Sequence, residues 1–296
     1  MPDFKSGFIA LIGRPNVGKS TLLNVLVGEK VAIVSTKPQT TRSRITGIKT
    51  TEDAQLIFVD TPGLARPRSA LNRHMVQVVR EAYQHVDLIL LVTDAAASDQ
   101  LAHDEFILQQ LKDVKTPTFL VINKIDLIDH RQVLPLIEAY QQRFPFVEYV
   151  PVSALKAVNV DALLRAISRY LPTGPRYFPT DQLTDQPERF LIAELVREQI
   201  FIQTAQEIPY QTAVMVEQTE DTDSGVLRVE ATIYVERDSQ KGIIIGKRGS
   251  RLKQIGQVAR QEIERRLSTR VYLALWVKVR KDWSENEQLI RELGYV

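Results

Sequence analysis

Short apolar runs alternate with helical patterns over residues 8–171. The runs are typical of buried strands, and the stretches between them, for example 104–112 and 160–171, space their apolar residues as amphipathic helices do. This alternation indicates an α/β fold, with a mostly parallel sheet covered by helices on both faces. We expect the second strand to pair antiparallel with the third, because only a loop separates them. The six predicted strands are 8–12, 45–49, 56–60, 88–92, 119–123 and 148–152.

The alternation ends at Pro172-Thr173-Gly174-Pro175, and the chain stays rich in Pro, Asp and Thr as far as Pro187. Such a composition is typical of a linker. We therefore predict a first domain over residues 1–173, a linker over 174–187 and a smaller α+β domain over 188–296.

The second domain shows a different order of elements. An amphipathic helix is followed by two strands with a turn between them, an apolar turn, a long helix, a third strand and a last helix. In that order, the predicted ranges are 188–203, 212–220, 227–236, 242–245, about 250–267, 271–279 and 284–293.

Composition excludes several classes of protein. The 296 residues are 44% hydrophobic and 25% charged, as in an ordinary soluble globular protein. Cysteine is absent, which excludes disulfides and thiolate metal sites, and the four histidines have no metal-ligand spacing. No apolar run approaches a membrane span, and the first residues do not resemble a signal peptide, so we expect a cytoplasmic protein.

The net charge of +2 conceals a local asymmetry. Residues 181–240 contain 4 basic and 13 acidic residues, whereas residues 241–281 contain 12 basic and 2 acidic ones. A basic block of this kind suggests a polyanion partner. It is equally compatible with a solvated helix face that balances the acidic segment.

The strongest motif lies between the first strand and a helical pattern that Gly28 can end. Residues 13–21 fit G-x-x-x-x-G-K-[ST], in which two glycines let successive backbone N–H groups face one anion. Lys19 then lies on the β/γ-phosphates and the Ser20 hydroxyl on Mg²⁺. The alternative is a Gly-rich turn that binds nothing. The predicted phosphate-binding residues are Gly13, Arg14, Pro15, Asn16, Val17, Gly18, Lys19, Ser20 and Thr21.

Three further motifs follow three of the predicted strands. Asp60-Thr61-Pro62-Gly63 offers a carboxylate for Mg²⁺ and the N–H of Gly63 for the γ-phosphate. In Asn123-Lys124-Ile125-Asp126, the Asp126 carboxylate can accept two hydrogen bonds from guanine, which adenine does not offer. Ser153-Ala154-Leu155 would complete the base pocket. The alternative for Asp126 is an ordinary helix cap, and Asn123 with Asp126 argues against an ATPase.

In their order and spacing, GRPNVGKS, DTPG, NKID and SAL resemble the motifs of the translation-factor-related GTPases. The resemblance implies a GTP-hydrolysing switch that uses Mg²⁺ and alternates between GTP and GDP. Residues 34–44 then correspond to the first switch loop, and Thr40 or, preferably, Thr41 to the threonine that senses Mg²⁺. It implies catalytic roles for Lys19, Thr41 and Gly63, and metal contacts from Ser20, Thr41 and Asp60.

Two residues modify that expectation. Leu64 follows DTPG, where many GTPases place a glutamine that orients water, so intrinsic hydrolysis should be slow unless another group assists. Asn16 resembles the loop asparagine that binds K⁺ in some relatives, although it could simply cap the loop.

Gly246-Lys247-Arg248-Gly249 lies between an apolar turn and a basic helix. Within this order of elements it resembles the GxxG loop of a type II KH module, which clamps about four nucleotides of a single strand. The alternative is a KH-like domain that binds protein. The predicted RNA contacts are Ile245, Gly246, Lys247, Arg248, Gly249, Arg251 and Lys253.

A phosphate-loop GTPase, a linker and a GxxG domain that ends in Leu275-Trp276-Val277-Lys278-Val279 resemble the Era family over nearly the whole chain. This resemblance implies binding to small-subunit ribosomal RNA near its 3′ end and a role in small ribosomal subunit assembly. It also implies loose peripheral contact with the inner face of the cell membrane. We expect a monomer.

Overall fold

The computed structural model describes residues 4–65, 67 and 69–295. Leaving aside the stretch Ser69–Leu71, the chain divides after Asp185 into two compact units. The outer ends of the predicted domains, residues 1 and 296, lie outside the described residues.

The first unit contains a six-stranded sheet in the order β2-β3-β1-β4-β5-β6. All neighbouring strands are parallel except β2 and β3, which are antiparallel. The predicted fold class is confirmed, together with its one antiparallel pair. The strands are β1 (Lys5–Ile12), β2 (Ile45–Thr50), β3 (Ala54–Asp60), β4 (Leu88–Asp94), β5 (Thr118–Asn123) and β6 (Glu148–Pro151).

Five α-helices described in this unit accompany the sheet, and its inner strands are mostly buried, which explains their continuous apolar runs. Because parallel strands end at one edge, the motifs that follow β1, β3, β5 and β6 converge there. One helix begins four residues before its predicted start at 104, because none of its first four residues is buried and they carry no clear apolar period. The helices are α1 (Lys19–Val27), α2 (Ala70–Gln84), α3 (Gln100–Leu111), α4 (Val133–Gln141) and α5 (Val160–Tyr170).

Residues 172–185, here called the strap, lie against the first unit. The buried Gln55 side chain accepts hydrogen bonds from the backbone N–H of Tyr177 (2.8 Å) and Phe178 (3.0 Å) and donates to the Phe178 carbonyl (2.9 Å). Further along, the Ile48 N–H of β2 donates to the Leu183 carbonyl at 2.8 Å. The strap is therefore fixed along the β2–β3 side of the sheet.

The second unit has a three-stranded sheet in the order β7-β8-β9, with β7 and β8 antiparallel and β8 and β9 parallel. Its buried core includes Val196, Val229, Ile233 and Ile255. The predicted turn at 242–245 is wrong, since these residues form the end of a helix. The first half of that helix is polar, so the sequence shows no apolar period there. The elements are α6 (Glu188–Gln203), β7 (Ala213–Asp221), β8 (Val226–Val235), α7 (Asp238–Ile245), α8 (Ser250–Leu267), β9 (Arg270–Val279) and α9 (Glu287–Glu292).

Among the helices of the described residues, none combines the length and apolar character needed to cross a membrane.

Candidate nucleotide site and nucleic-acid interface

The loop between β1 and α1 has the backbone shape of an anion site. Gly13 and Gly18 have φ values of 151° and 96°, which side-chain-bearing residues rarely adopt. A Cβ on Gly13 would lie 2.3 Å from the Val92 carbonyl oxygen, and one on Gly18 would lie 2.3 Å from Asn123 Nδ2. Only glycine therefore fits at either position, and the N–H groups at the start of α1 stay open to an anion.

Lys19 is buried behind this loop. Its Nζ donates to the carbonyls of Gly13 (3.1 Å) and Arg14 (2.9 Å). Burial lowers the pKa of Lys19 to about 8, although the nearby Asp60 carboxylate opposes the shift. A phosphate group would add negative charge beside this desolvated ammonium.

The three residues predicted to touch Mg²⁺ come together at the end of β3. The Ser20 hydroxyl donates to Asp60 Oδ2 at 2.7 Å and lies 2.9 Å from the Thr41 hydroxyl, which itself lies 3.4 Å from Asp60 Oδ2. The neighbouring Thr40 hydroxyl instead donates to the Lys37 carbonyl at 2.8 Å. The geometry therefore favours Thr41 over Thr40 as the residue that faces the metal position.

This cluster suits a hard divalent cation. Asp60 is buried, and its Oδ1 has no hydrogen-bond partner in the structure. Burial raises the pKa of the Asp60 carboxyl, while Lys19 and the hydroxyl hydrogen bonds oppose the shift. Among the described residues, no group of three His, Cys, Asp or Glu side chains could hold a metal. One carboxylate with two hydroxyls matches the way Mg²⁺ is bound together with substrate phosphates.

The phosphate loop also contacts residues 34–44 and the segment that follows β3. The Asn16 side chain donates to the Thr36 carbonyl at 2.7 Å, which connects the phosphate loop to residues 34–44. Gly63 lies so close to the loop that an added Cβ would be 2.5 Å from Pro15 N. The Leu64 N–H donates to the Gly13 carbonyl at 3.0 Å, and its side chain is 2% exposed within the core. Leu64 therefore faces away from solvent, where it cannot orient a water molecule.

The base-pocket motifs form one hydrogen-bonded group. Asn123 donates to the Val17 carbonyl at 2.8 Å and accepts from the Ala154 N–H at 2.9 Å, which joins the phosphate loop to the loop after β6. The Ser153 hydroxyl donates to Asp126 Oδ1 at 2.6 Å. These contacts fix the Asp126 carboxylate from one side and leave its other oxygen for a ligand.

Sequence analysis missed one member of this group. Asp94, the last residue of β4, forms an ion pair with Lys124, with a distance of 2.6 Å between Oδ2 and Nζ. The same carboxylate accepts from the Ala96 N–H at 3.0 Å. An aspartate that ends a buried apolar strand is the signal that singled out Asp60, and it could have identified Asp94 as well.

The remaining predicted residues have varied surroundings. The Thr61 hydroxyl donates to the Leu11 carbonyl at 2.7 Å. This hydrogen bond links the end of β3 to β1, so the hydroxyl does not face a ligand. Leu155, in contrast, is 75% exposed. Arg14, Thr21 and Pro62 accompany their motifs at the same edge of the sheet.

In the second unit the GxxG loop joins α7 to α8. Gly246 and Gly249 have φ values of 73° and 78°, and Arg248 between them is also left-handed at 54°. Lys247 and Arg248 are exposed, whereas the Arg251 guanidinium donates to the Ile243 carbonyl at 2.8 Å and so closes the end of α7. Ile245 packs against the core. Lys247 and Arg248 are therefore exposed to solvent, whereas Ile245 and Arg251 stabilise the loop.

A groove of about 510 Å³ starts at Gly249 and runs between α8 and β9. Lys253 and Arg260 bring positive charge to it, and Leu273 and Leu275 of β9 form its apolar side. Gly256 permits a close approach, since a Cβ there would lie 3.3 Å from Leu275 Cδ1. Sequence analysis identified Gly249 and Lys253, but the contribution of β9 depends on tertiary packing.

The geometry of both units agrees with comparisons to known proteins. Residues 8–124 match the protein family described as 50S ribosome-binding GTPase, and residues 207–284 match the KH domain. Fold and site thus define a phosphate-loop GTPase joined to a KH domain.

Two solved structures are similar to the entire chain. One is a variant of Aquifex aeolicus Era bound to GDP and AlF₄⁻, with 43% identity and a TM-score of 0.95 over 99% of this chain and 100% of that one. The other is Era in complex with MgGDPNP and nucleotides 1506–1542 of 16S ribosomal RNA, with 43% identity and a TM-score of 0.95 over 99% of each chain. The present chain belongs to the Era family.

Proposed function

We propose that this protein, a GTPase of the Era family, is a GTP-controlled switch that binds small-subunit ribosomal RNA near its 3′ end and assists small ribosomal subunit assembly. The observation that supports a switch is the convergence of Ser20, Thr41 and Asp60. Thr41 belongs to residues 34–44, whereas Ser20 and Asp60 belong to rigid elements of the sheet edge. A metal and a γ-phosphate that contact all three would hold that segment, and loss of the γ-phosphate would release it.

In this proposal the residues of the chain position the triphosphate and stabilise its charge. The loop from Gly13 to Thr21 cradles the phosphates, Lys19 compensates their charge, and the Gly63 N–H faces the γ-phosphate. Mg²⁺, when bound, supplies a further positive charge that bridges phosphate oxygens. Asp126 accepts from guanine, and Asn123, Lys124 and the loop after β6 support the base.

Because Leu64 is buried, another group must orient the attacking water or stabilise the charge of the transition state. We propose that K⁺ assists, coordinated in part by Asn16, whose amide lies between the phosphate loop and residues 34–44. Hydrolysis of bound GTP should then be several-fold faster in KCl than in NaCl at equal ionic strength. Asn16→Gly, which is unstrained at the φ of 65°, should remove the difference. Equal single-turnover rates in the two salts would exclude a role for K⁺.

The RNA proposal is supported by the exposed Lys247 and Arg248 and by the groove that begins at Gly249. The Era structure with 16S ribosomal RNA nucleotides supports the identity of the RNA. Phosphates contacted by the loop and by Lys253 would release counterions, so affinity should fall as salt rises.

Gly249→Asp tests this proposal without a steric clash, because a Cβ at Gly249 meets nothing within 4 Å, although a side chain is strained at its φ of 78°. The added carboxylate lies where phosphates must pass, and we expect affinity for single-stranded RNA to fall at least about tenfold. Gly225→Asp is a matched control: Gly225 has a similar φ of 72° and the same open surroundings, but it lies in the turn between β7 and β8.

GTP affinity should be unchanged in both variants. Equal RNA binding by wild type and the two variants would remove the loop from the RNA site. It would favour the second candidate function, a GTPase whose KH domain is a protein adaptor.

Location and assembly state belong to the same proposal. We propose a monomer in the cytoplasm with peripheral contact to the inner face of the cell membrane, as membership of the family suggests. Fractionation of cells under low and high salt tests the membrane contact.

A further inference from the structure

The outer face of the sheet in the second unit carries two exposed aromatic side chains. β9 is an edge strand, so its residues alternate between the side covered by helices and the opposite side. Tyr272 and Trp276 lie on the opposite side and are 59% and 60% exposed. Two large rings therefore lie on one face of one strand, and Tyr and Trp are the aromatic side chains enriched at interfaces.

The segment that carries these rings is basic. From Arg270 to Lys281 the chain has four basic residues and no acidic one. On the adjacent strand, the Arg228 guanidinium lies 6.0 Å from the centre of the Tyr272 ring and is oriented by Glu230 at 2.8 Å. Exposed rings among cations are typical of surfaces that bind single-stranded nucleic acid.

The two faces of β9 are continuous around the open edge of the sheet. Leu273 and Leu275 line the groove on the helical side, and Tyr272 and Trp276 alternate with them along the same strand. A single strand of RNA that leaves the groove therefore meets these rings after it turns around the β9 edge. The rings are four residues apart, roughly 13 Å along a strand, which leaves room for different bases to stack on each.

We propose that Tyr272 and Trp276 form a second RNA-contact surface, on which unpaired bases flanking the groove-bound segment stack. The proposal rests on the proposed RNA-binding function and extends the bound RNA beyond the roughly four nucleotides that a GxxG loop clamps. Stacking on a ring tolerates any base, so this surface adds affinity and length dependence and adds little sequence preference.

Titrations with RNAs of two lengths test the proposal. Trp276→Ala should weaken binding of an RNA of about sixteen nucleotides at least about fivefold. It should leave binding of a tetranucleotide unchanged, because about four nucleotides fill the groove alone. Trp276→Phe should restore affinity for the long RNA, whereas Trp276→Leu should not, because leucine is apolar but lacks a π-face. Tyr170→Ala, at an exposed aromatic of the first unit, is the control and should have no effect.

Intrinsic fluorescence gives a direct readout. The chain has two tryptophans, and Trp283 is fully buried. The long RNA should quench the fluorescence of Trp276, the short RNA should not, and Trp276→Phe should abolish the quenching.

Each outcome decides between explanations. Gly249-dependent binding of both RNAs with no effect of Trp276→Ala would overturn this inference and leave the proposed function intact. Loss of Gly249 dependence would instead overturn the proposed function. A third outcome would assign this surface to a membrane. In that case Trp276→Leu would bind anionic phosphatidylglycerol vesicles as tightly as wild type does, Trp276→Ala would lose vesicle binding, and neither substitution would affect RNA binding.

Discussion

At the scale of single residues, Asp94 forms an ion pair with Lys124 of the proposed base pocket. The ammonium of Lys124 has a partly buried carboxylate partner, so its aliphatic stem is held where we propose that the base lies. We therefore expect Asp94 to position Lys124, whereas Asp126 is the residue that we propose recognises the base.

These roles predict different consequences for two similar substitutions. Asp94→Asn keeps the side-chain shape but removes the charge, and we expect affinity for GDP and GTP to fall about three- to tenfold with guanine preference retained, because a partly exposed charged pair is worth about 1 kcal/mol. Asp126→Asn should shift preference from guanine to xanthine, whose 2-position accepts a hydrogen bond. Competition binding with GDP and xanthosine diphosphate measures both.

Asp129→Asn removes an exposed aspartate whose ion pair with Arg131 lies at the surface. It should change neither affinity nor preference. A shift of Asp94→Asn toward xanthine would show that Asp94 contacts the base and does not merely position Lys124.

At the scale of elements, the strap has the composition of a linker but is part of the first unit. Its backbone has no regular partner strand, so side chains such as Gln55 take over part of its hydrogen bonding. The Thr184 hydroxyl adds a bond of 2.6 Å to the Thr46 carbonyl of β2. β2 directly follows residues 34–44, so the strap is anchored beside the segment that the nucleotide should order.

Gln55→Ala tests how far the strap depends on this single side chain. The substitution removes three hydrogen bonds to strap backbone and leaves a cavity, so we expect a loss of about 1–3 kcal/mol in the free energy of unfolding. Amide exchange at Tyr177 and Phe178 should accelerate before the rest of the unit opens. Gln100→Ala, which removes a side chain bonded to the Ala95 carbonyl, should leave exchange at these two amides unchanged. Unchanged protection in Gln55→Ala would mean that packing alone fixes the strap.

At the scale of the whole molecule, the proposed switch requires that nucleotide and RNA affect each other. Thermodynamic linkage makes this coupling reciprocal: if the GDPNP form binds RNA more tightly than the GDP form, RNA must raise the GDPNP-to-GDP affinity ratio by the same factor. Each unit has its own hydrophobic cluster.

We expect a coupling of about 1–3 kcal/mol, or about 5- to 150-fold. Measurement of RNA affinity in the two nucleotide states, and of nucleotide affinity with and without RNA, gives both sides of the cycle. Equal RNA affinity in the GDP and GDPNP forms would reject the switch, even if GTP hydrolysis and RNA binding were both intact.

The sequence alone determined the features that depend on short stretches of chain. The apolar runs of 8–171 predicted the six strands, and the loop between the second and third strands predicted their antiparallel pairing. The fixed spacing from Gly13 to Lys19 predicted the phosphate loop, because strand, glycine turn and helix are local in the chain. Leu64 was identified from its place after Gly63, although the core that buries it was not visible.

Tertiary structure decided which distant residues meet. The contact of Thr41 with Ser20, the ion pair between Asp94 and Lys124 and the apolar side of the groove from β9 all join segments far apart in sequence. The strap was hidden for the same reason, since its partner Gln55 is 122 residues away from Tyr177. Periodicity and spacing report the neighbours of a residue along the chain, whereas these contacts depend on the order of strands in the sheet, which only the folded molecule establishes.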